Sequence, residues 1–189
     1  MKSGSKWILG IIVVIVIIFA WGISGYNGLV SLEQQVETAK ANIDTQLQRR
    51  SDLIPNLVST VKGYATQEKE IFTDIANARA QLAGANTIPE QAQANATLSS
   101  ALSRLLLVVE NYPELKSNQN FQDLSIQLEG TENRIAIARQ DYNTVVTSYN
   151  TKRRRFPTNI ISNIFGFDNK EYFEASAGTQ QVPVVDFNS

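Results

Sequence analysis

Seven charged side chains stand on or beside positions that the spacing of apolar residues assigns to the inside of helices. They are Asp44, Arg50, Glu68, Arg79, Glu132, Arg134 and Arg139. Partly buried charges need partners, so such a set can fix the register of packed helices as an ion-pair network, or can form a polar pocket that binds a charged ligand. We predict the first: a structural polar network of Asp44, Arg50, Glu68, Arg79, Glu132 and Arg139.

The composition removes most of the usual catalytic and metal-binding groups. The 189 residues include no histidine and no cysteine, which excludes thiol nucleophiles, a histidine general base and zinc sites with nitrogen or sulfur ligands. An all-oxygen calcium or magnesium site built from Asp44, Glu68 and Glu132 stays as an alternative. A carboxylate hydrolase is disfavoured, since the sequence has no spaced acid pair, nucleophile motif or glycine-rich phosphate loop. We predict a protein without catalysis, metal or cofactor.

A second group of candidate residues combines positive charge with apolar side chains. The run KRRR precedes several isoleucines and phenylalanines on a short helical turn that ends at Gly166. Four solvated cations at a helix C-terminus are the simpler interpretation, but basic residues beside an apolar surface are typical of a membrane or partner contact. The predicted contact comprises Lys152, Arg153, Arg154, Arg155, Ile160, Ile161, Ile164, Phe165 and Phe167.

The N-terminal segment predicts a membrane anchor. The stretch WILGIIVVIVIIFAWGI, from Trp7 to Ile23, carries no charge and is long enough to span a bilayer. Lys2 and Lys6 precede it and no basic residue follows until Lys40, a bias that places the N-terminus in the cytoplasm. A cleaved signal peptide is the alternative. We predict an uncleaved anchor over residues 1–25 that contacts lipid through residues 7–25.

Beyond the anchor, apolar residues recur at intervals of three and four, the pattern of amphipathic helices. The first predicted helix continues out of the membrane to a corner at Arg49 to Val58. There Ser51 or Asp52 would cap a second helix and Pro55 would fit its first turn. The later boundaries are a stop at Gly84, a capping box at Thr87 to Glu90, an end near Asn111, and a fourth helix from about Phe121 to Arg155.

These elements predict an all-α fold: an N-terminal transmembrane helix, an elongated antiparallel four-helix bundle, a short C-terminal helix and an extended tail. The predicted divisions are residues 1–25 for the anchor, 26–155 for the bundle, 156–174 for a short amphipathic element and 175–189 for a flexible tail. Within the tail, VPVVDF from Val182 to Phe187 has the composition of a strand that could pair with a partner.

Four stretches also carry a family resemblance: YNGLV at 26–30, RRSDLIPNLVSTVKGYA at 49–65, YPELKSNQNFQDL at 112–124 and TENRIAIARQDYN at 131–143. Together with YN and FP elements in 149–167 and the closing VPVVDF, this ordered set resembles the LemA family of bacterial membrane proteins. The resemblance implies a single N-terminal anchor and a four-helix soluble domain. It implies no particular reaction.

We therefore predict a non-catalytic scaffold or adaptor of the bacterial cell envelope. It would be a single-pass protein of the inner membrane, with its soluble domain outside the cytoplasm. The alternative is an envelope module that binds or senses a ligand through charged residues within the bundle. The expected partners are the lipid bilayer, a membrane or envelope protein and a second copy of the chain. Nucleic acid is not expected, because the formal net charge is only -1.

Overall fold

The computed structural model describes residues 3 to 174, with side chains from Trp7 onward, and this part of the chain is helical apart from short connections. The helices are α1 (Ser3–Lys62), α2 (Lys69–Gly84), α3 (Ile88–Val109), α4 (Pro113–Lys116), α5 (Gln119–Arg154) and α6 (Thr158–Phe165). No strand occurs among the described residues. The predicted all-α class is therefore confirmed, while the β-prone stretch at 182–187 lies outside the described residues.

The first part of α1 is the apolar segment. Of the helices in the described residues, α1 is the one long and apolar enough to cross a membrane. The large apolar side chains from Trp7 to Phe19 are at least half exposed. Within the described part of the chain, no other element covers them. Such a surface is unfavourable in water and is the kind that hydrocarbon covers.

The predicted corner at Arg49 to Val58 is wrong, because α1 runs through it with Pro55 inside the helix. The apolar stripe shows why the helix continues. Buried residues follow one another at intervals of three and four through this region: Leu47, Arg50, Ile54, Leu57 and Val61. Pro55 removes one backbone donor and costs about 3 kcal/mol within a helix. Burial of three large apolar side chains within two turns offsets that cost.

The boundaries of α2 and α3 follow local signals more closely. Since α1 extends to Lys62, α2 begins at Lys69 rather than within the predicted corner, and it ends at Gly84 as predicted. The capping box is confirmed: the Glu90 N–H donates to Thr87 Oγ1 at 3.3 Å, and the Thr87 N–H donates to Glu90 Oε2 at 3.0 Å. The predicted end of α3 near Asn111 is two residues too late.

The C-terminal helices show one element that the sequence did not predict. The short helix α4 forms at Pro113–Lys116 and buries Leu115 completely. Next, α5 spans Gln119–Arg154, close to the predicted range, and α6 ends at Gly166 in the left-handed region, with φ of 72°. A side chain with a Cβ would be strained at that φ. Gly166 therefore ends α6, as predicted.

The chain divides into two compact units. The first unit combines the residues up to Ala41 with Asp141–Lys170, and its buried residues include Leu29, Val36, Tyr149, Ile161 and Phe167. The second unit combines Asn42–Gln140 with the described residues from Glu171 onward, and α2 packs along α3 within it. Its core includes Ile43, Leu57, Ile75, Leu98, Leu105 and Ile135.

Candidate membrane-facing site

Within the first unit, α6 packs against α1 just beyond the apolar segment. A Cβ atom at Gly25 would lie 2.5 Å from the Cδ1 atom of Ile161, so any larger residue there would force the Ile161 side chain to move. Ile161 is 6% exposed. The tyrosine that follows, Tyr26, meets Phe165 and Phe167 edge-on, with ring centroids 4.9 and 5.5 Å apart. These contacts hold α6 beside residues 25 and 26.

The structure divides the apolar residues of the predicted contact into two sets. Ile161 and Phe167 are buried against the rest of the first unit. Ile160, Ile164 and Phe165 remain 49%, 70% and 62% exposed. Phe156, which the prediction did not include, is 81% exposed just before α6. One side of this segment therefore serves packing and the other is an exposed apolar surface.

The four cations of the predicted contact also differ in their surroundings. Arg153 is half-buried, and its Nε–H donates to the Phe167 carbonyl oxygen at 2.5 Å, which ties the end of α5 to the residue after Gly166. The half-buried Lys152 lies with its Nζ against Gly28, where a Cβ would overlap it. Arg154 and Arg155 are exposed. Among the described residues, no carboxylate is within ion-pair distance of Lys152, Arg154 or Arg155.

The segment after α6 is fixed by a polar clamp that sequence reasoning missed. The buried Asn150 side chain donates to the Lys170 carbonyl oxygen at 2.9 Å and accepts from the Lys170 N–H at 3.0 Å. The Lys170 ammonium lies 2.8 Å from Glu33 and 3.8 Å from Glu37. A lone asparagine in a helix and a lysine 20 residues later carry no sequence signal that would pair them.

The electrostatics of this clamp favour the charged lysine. Burial alone would lower the pKa of Lys170, but the hydrogen bond and charge of Glu33, with Tyr149 and Glu37, outweigh it and raise that pKa. Lys170 also lies over the ring of Tyr149, 5.7 Å from its centroid. Burial raises the pKa of the Tyr149 hydroxyl, with the charge of Glu33 as a further cause. Both groups therefore lose their protons only at a higher pH in the folded protein than usual.

In the second unit, the structure brings together two members of the predicted polar network. Arg50, 4% exposed, lies with its Nη1 atom 2.8 Å from Glu132 Oε2 and donates to Asn95 Oδ1 at 2.6 Å. Burial lowers the pKa of Arg50, and the charge of Glu132 partly opposes this. These contacts join α1, α3 and α5. Asn95 was not predicted to take part, although its spacing from Leu98 and Leu102 places it on the apolar stripe of α3.

The other members of the predicted network lie apart. The Asp44 carboxylate accepts from Gln91 at 2.9 Å, and the Arg79 Nε–H donates to Ser51 Oγ at 3.1 Å. Arg139 stacks on the ring of Phe173, 4.6 Å from its centroid. In the described part of the chain, no basic residue is within ion-pair distance of Glu68, which precedes α2, and Arg134 is exposed.

Two further features of the second unit bear on binding. No three histidine, cysteine or acidic residues come together among the described residues, so Asp44, Glu68 and Glu132 do not meet as the alternative metal site required. A surface cavity of about 210 Å³ is lined by residues of α1, α2 and α3, including Asp44, Ser51 and Gln91. Large apolar side chains are also exposed on α3 and α5, namely Leu106, Leu107, Ile126 and Ile137.

Comparison with known sequences assigns this chain to a family. The model of the LemA family matches residues 39–187, most of the chain. The chain belongs to the LemA family. It is also similar to magnetosome protein MamQ 2 of Paramagnetospirillum magneticum, with 28% identity covering 79% of this chain and 64% of that protein. It thus spans less than two thirds of that relative's length.

Two other relatives extend the range of organisms. Magnetosome protein MamQ of Magnetospirillum gryphiswaldense is 26% identical, over 85% of this LemA-family chain and 68% of the relative. Protein LemA of Metamycoplasma hominis is 25% identical, over 79% and 69% respectively. Family membership and the apolar segment of α1 together support a membrane-associated protein.

Proposed function

We propose that this LemA-family chain is a membrane-anchored helical scaffold of the bacterial cell envelope, without catalysis of its own. In this proposal the first part of α1 crosses the inner membrane once, and the rest of α1 forms an elongated antiparallel four-helix bundle with α2, α3 and α5 outside the cytoplasm. The bundle presents its surface to a membrane or envelope protein. Two relatives are named as magnetosome proteins, and these names are compatible with such a role.

The observation that carries the proposal is that the buried cation of the second unit is paired with residues of neighbouring helices. Arg50 is almost fully buried and is committed to Asn95 and Glu132, which lie on two other helices. A buried cation held by partners from neighbouring helices specifies how those helices pack. At the start of α2, Asp74 lies 2.6 Å from Arg104 near the end of α3, and this pair supports an antiparallel arrangement. The polar residues therefore serve the architecture.

The exposed apolar residues give the scaffold a candidate contact surface, and they allow a matched test. Leu107 on α3 is 69% exposed and Ile137 on α5 is 59% exposed. One turn before each on the same helix stands an exposed polar residue, Ser103 and Asn133. A photo-reactive amino acid at each of the four positions in the full chain, activated in living cells, compares apolar with polar surface directly.

For a scaffold, the probes at Leu107 and Ile137 yield the same discrete protein adduct, and the probes at Ser103 and Asn133 yield little of it. Equal adducts at all four positions, or none at any, would contradict the proposal.

The topology is tested separately. The chain has no cysteine, so Gln127→Cys provides a single thiol, which a membrane-impermeant maleimide should label in intact cells. Labelling only after lysis would place the bundle in the cytoplasm.

A ligand-sensing role is the second candidate, and one observation favours it. The Nε atom of Arg50 and the Oε1 atom of Gln91 are buried without a hydrogen-bond partner, and Gln91 lines the 210 Å³ cavity. A small polar molecule could satisfy such groups. Native mass spectrometry of the purified full chain separates the two candidates, because a sensor retains a small molecule and the variant Gln91→Leu loses it.

A further inference from the structure

The position of α6 is defined relative to the apolar segment of α1. Ile161 packs at Gly25 and Phe165 contacts Tyr26. The hydrocarbon core of a bilayer is crossed by about 20 helical residues. Counted from Trp7, about 20 residues reach the level of Tyr26. If α1 spans the bilayer from Trp7, α6 therefore lies at the boundary between hydrocarbon and headgroups.

The surface that α6 presents at this level is amphipathic. Ile160 and Ile164 are one helical turn apart on one face, Phe165 follows Ile164, and all three are largely exposed. Ser162 is buried, and the exposed Asn163 lies about 100° around the helix from Ile164. A helix of this kind lies in the plane of the interface with its apolar face among the upper parts of the lipid chains.

Positive charge stands at the same end of the first unit. Arg154 and Arg155 are exposed, and the Lys152 ammonium lies against Gly28, two residues beyond Tyr26. Among the described residues, none of the three has a carboxylate within ion-pair distance. Cations within a Debye length of a bilayer attract anionic headgroups. The charge therefore complements phosphate groups at the depth where the apolar face would insert.

We propose that α6 is a second membrane contact: its exposed face inserts shallowly into the leaflet beside α1, while Lys152, Arg154 and Arg155 bind anionic phospholipid headgroups. The occupant of this face is lipid because α6 packs at Gly25 and Tyr26, immediately beyond the exposed apolar surface of α1. The inference rests on the proposed anchoring of α1. It adds a specificity for anionic lipid that the anchor alone does not have.

The test uses the full chain in liposomes, with one cysteine carrying an environment-sensitive fluorophore. Ile164→Cys places the label on the exposed apolar face, and Asn163→Cys, at an exposed polar position about 100° around the helix, is the matched control. We expect lipid-attached quenchers to quench the label at position 164 and aqueous iodide to quench the label at 163. Adding phosphatidylglycerol to phosphatidylcholine should increase insertion at 164. Insertion is expressed as the ratio of inserted to uninserted label at position 164. In the background Arg154→Gln, Arg155→Gln, the factor by which phosphatidylglycerol raises this ratio should be about 25-fold smaller, since each cation contributes about fivefold, or about 1 kcal/mol.

Several results would overturn the inference. Equal iodide quenching at 163 and 164 means that α6 stays in water. A label at 164 that is shielded from iodide but not reached by lipid quenchers, with a signal that rises with protein density, means that a second copy or a partner covers the face. Insertion that ignores phosphatidylglycerol removes the headgroup assignment. Flotation of the same liposomes tests the anchor separately. A chain that fails to float with pure phosphatidylcholine is not anchored by α1, so the proposed function fails and not only the inference about α6.

Discussion

The buried Arg50 cluster allows a quantitative test of what holds the second unit together. Removing one partner of a fully buried ion pair costs about 3–5 kcal/mol, because the other charge remains buried and uncompensated. Here the two partners differ: the Arg50 side chain is 5% exposed and that of Glu132 is 44% exposed. Nearly half of the Glu132 side chain is exposed, although its Oε2 atom is buried, and Asn95 stays bound to Arg50 in the absence of Glu132. We therefore expect Glu132→Gln to lower the free energy of unfolding by about 1–3 kcal/mol, less than a fully buried pair would lose.

The complementary change removes the buried cation. In Arg50→Met, Asn95→Leu, apolar side chains of similar size replace the cation and its amide partner, and Glu132 is left free to hydrate. Replacing buried ionic groups by apolar ones is often neutral or stabilising, so we expect a change within about 1 kcal/mol. The surface pair gives the control: Glu70, 84% exposed, lies 3.7 Å from Arg104, and Glu70→Gln should change stability by less than about 1 kcal/mol.

Urea unfolding of the full chain in detergent, followed by far-ultraviolet circular dichroism, measures all three variants. In thermal unfolding of the same variants, a loss of 1 kcal/mol corresponds to a fall in Tm of about 2–4 °C for a chain of this length. The Glu132→Gln effect should persist in high salt, because buried charges are weakly screened. The reasoning is refuted if the order reverses, with Arg50→Met, Asn95→Leu losing more than about 3 kcal/mol while Glu132→Gln is neutral. That result would mean that Arg50 gains more from its partners than its burial costs.

Three further predictions follow from packing and titration. Leu57→Ala should cost about 2–5 kcal/mol in urea unfolding because Leu57 is 1% exposed, whereas Leu107→Ala, at a 69% exposed site, should cost well under that. Gly25→Ala should displace the Ile161 side chain and loosen the packing of α6 on α1, seen as greater iodide access to a label at position 164. Gly22→Ala should leave iodide access unchanged, because nothing lies within 4 Å of a Cβ at that position. Equal effects of the two substitutions would mean that the close contact of Gly25 with Ile161 does not position α6. The pKa of Lys170 is raised in the folded state, so its stabilising contribution is complete below the usual value of 10.5 and is lost as pH rises through the folded pKa. Tm should accordingly fall more at strongly alkaline pH in the native chain than in Lys170→Met, and parallel curves would show that the clamp contributes nothing.

Local signals in the sequence determined several boundaries of this protein. Thr87 and Glu90 satisfy each other's backbone donors without contacts from distant segments. Gly166 can adopt a positive φ that is strained for residues with a Cβ. The apolar run from Trp7 is long enough for a membrane span without reference to any other element. These features depend on residues within a few turns of one another, which is why sequence alone predicts them.

The tertiary structure decided the course of α1 and the contacts of its polar residues. Ser51, Asp52 and Pro55 are good signals for a new helix, yet α1 continues because Ile54 and Leu57 are buried against other helices, and that gain exceeds the cost of the proline. The spacing of Arg50 from Leu47 and Ile54 continues the buried stripe of α1 through this region.

The partners of Arg50 and Lys170 likewise depend on distant segments. Arg50 meets Asn95, 45 residues away, and Asn150 binds the backbone of Lys170, 20 residues away. The exposed face of α6 becomes apparent only once Gly25 and Tyr26 occupy its other side. Periodicity reports which positions are apolar, but which of them are covered depends on long-range packing that brings these segments together.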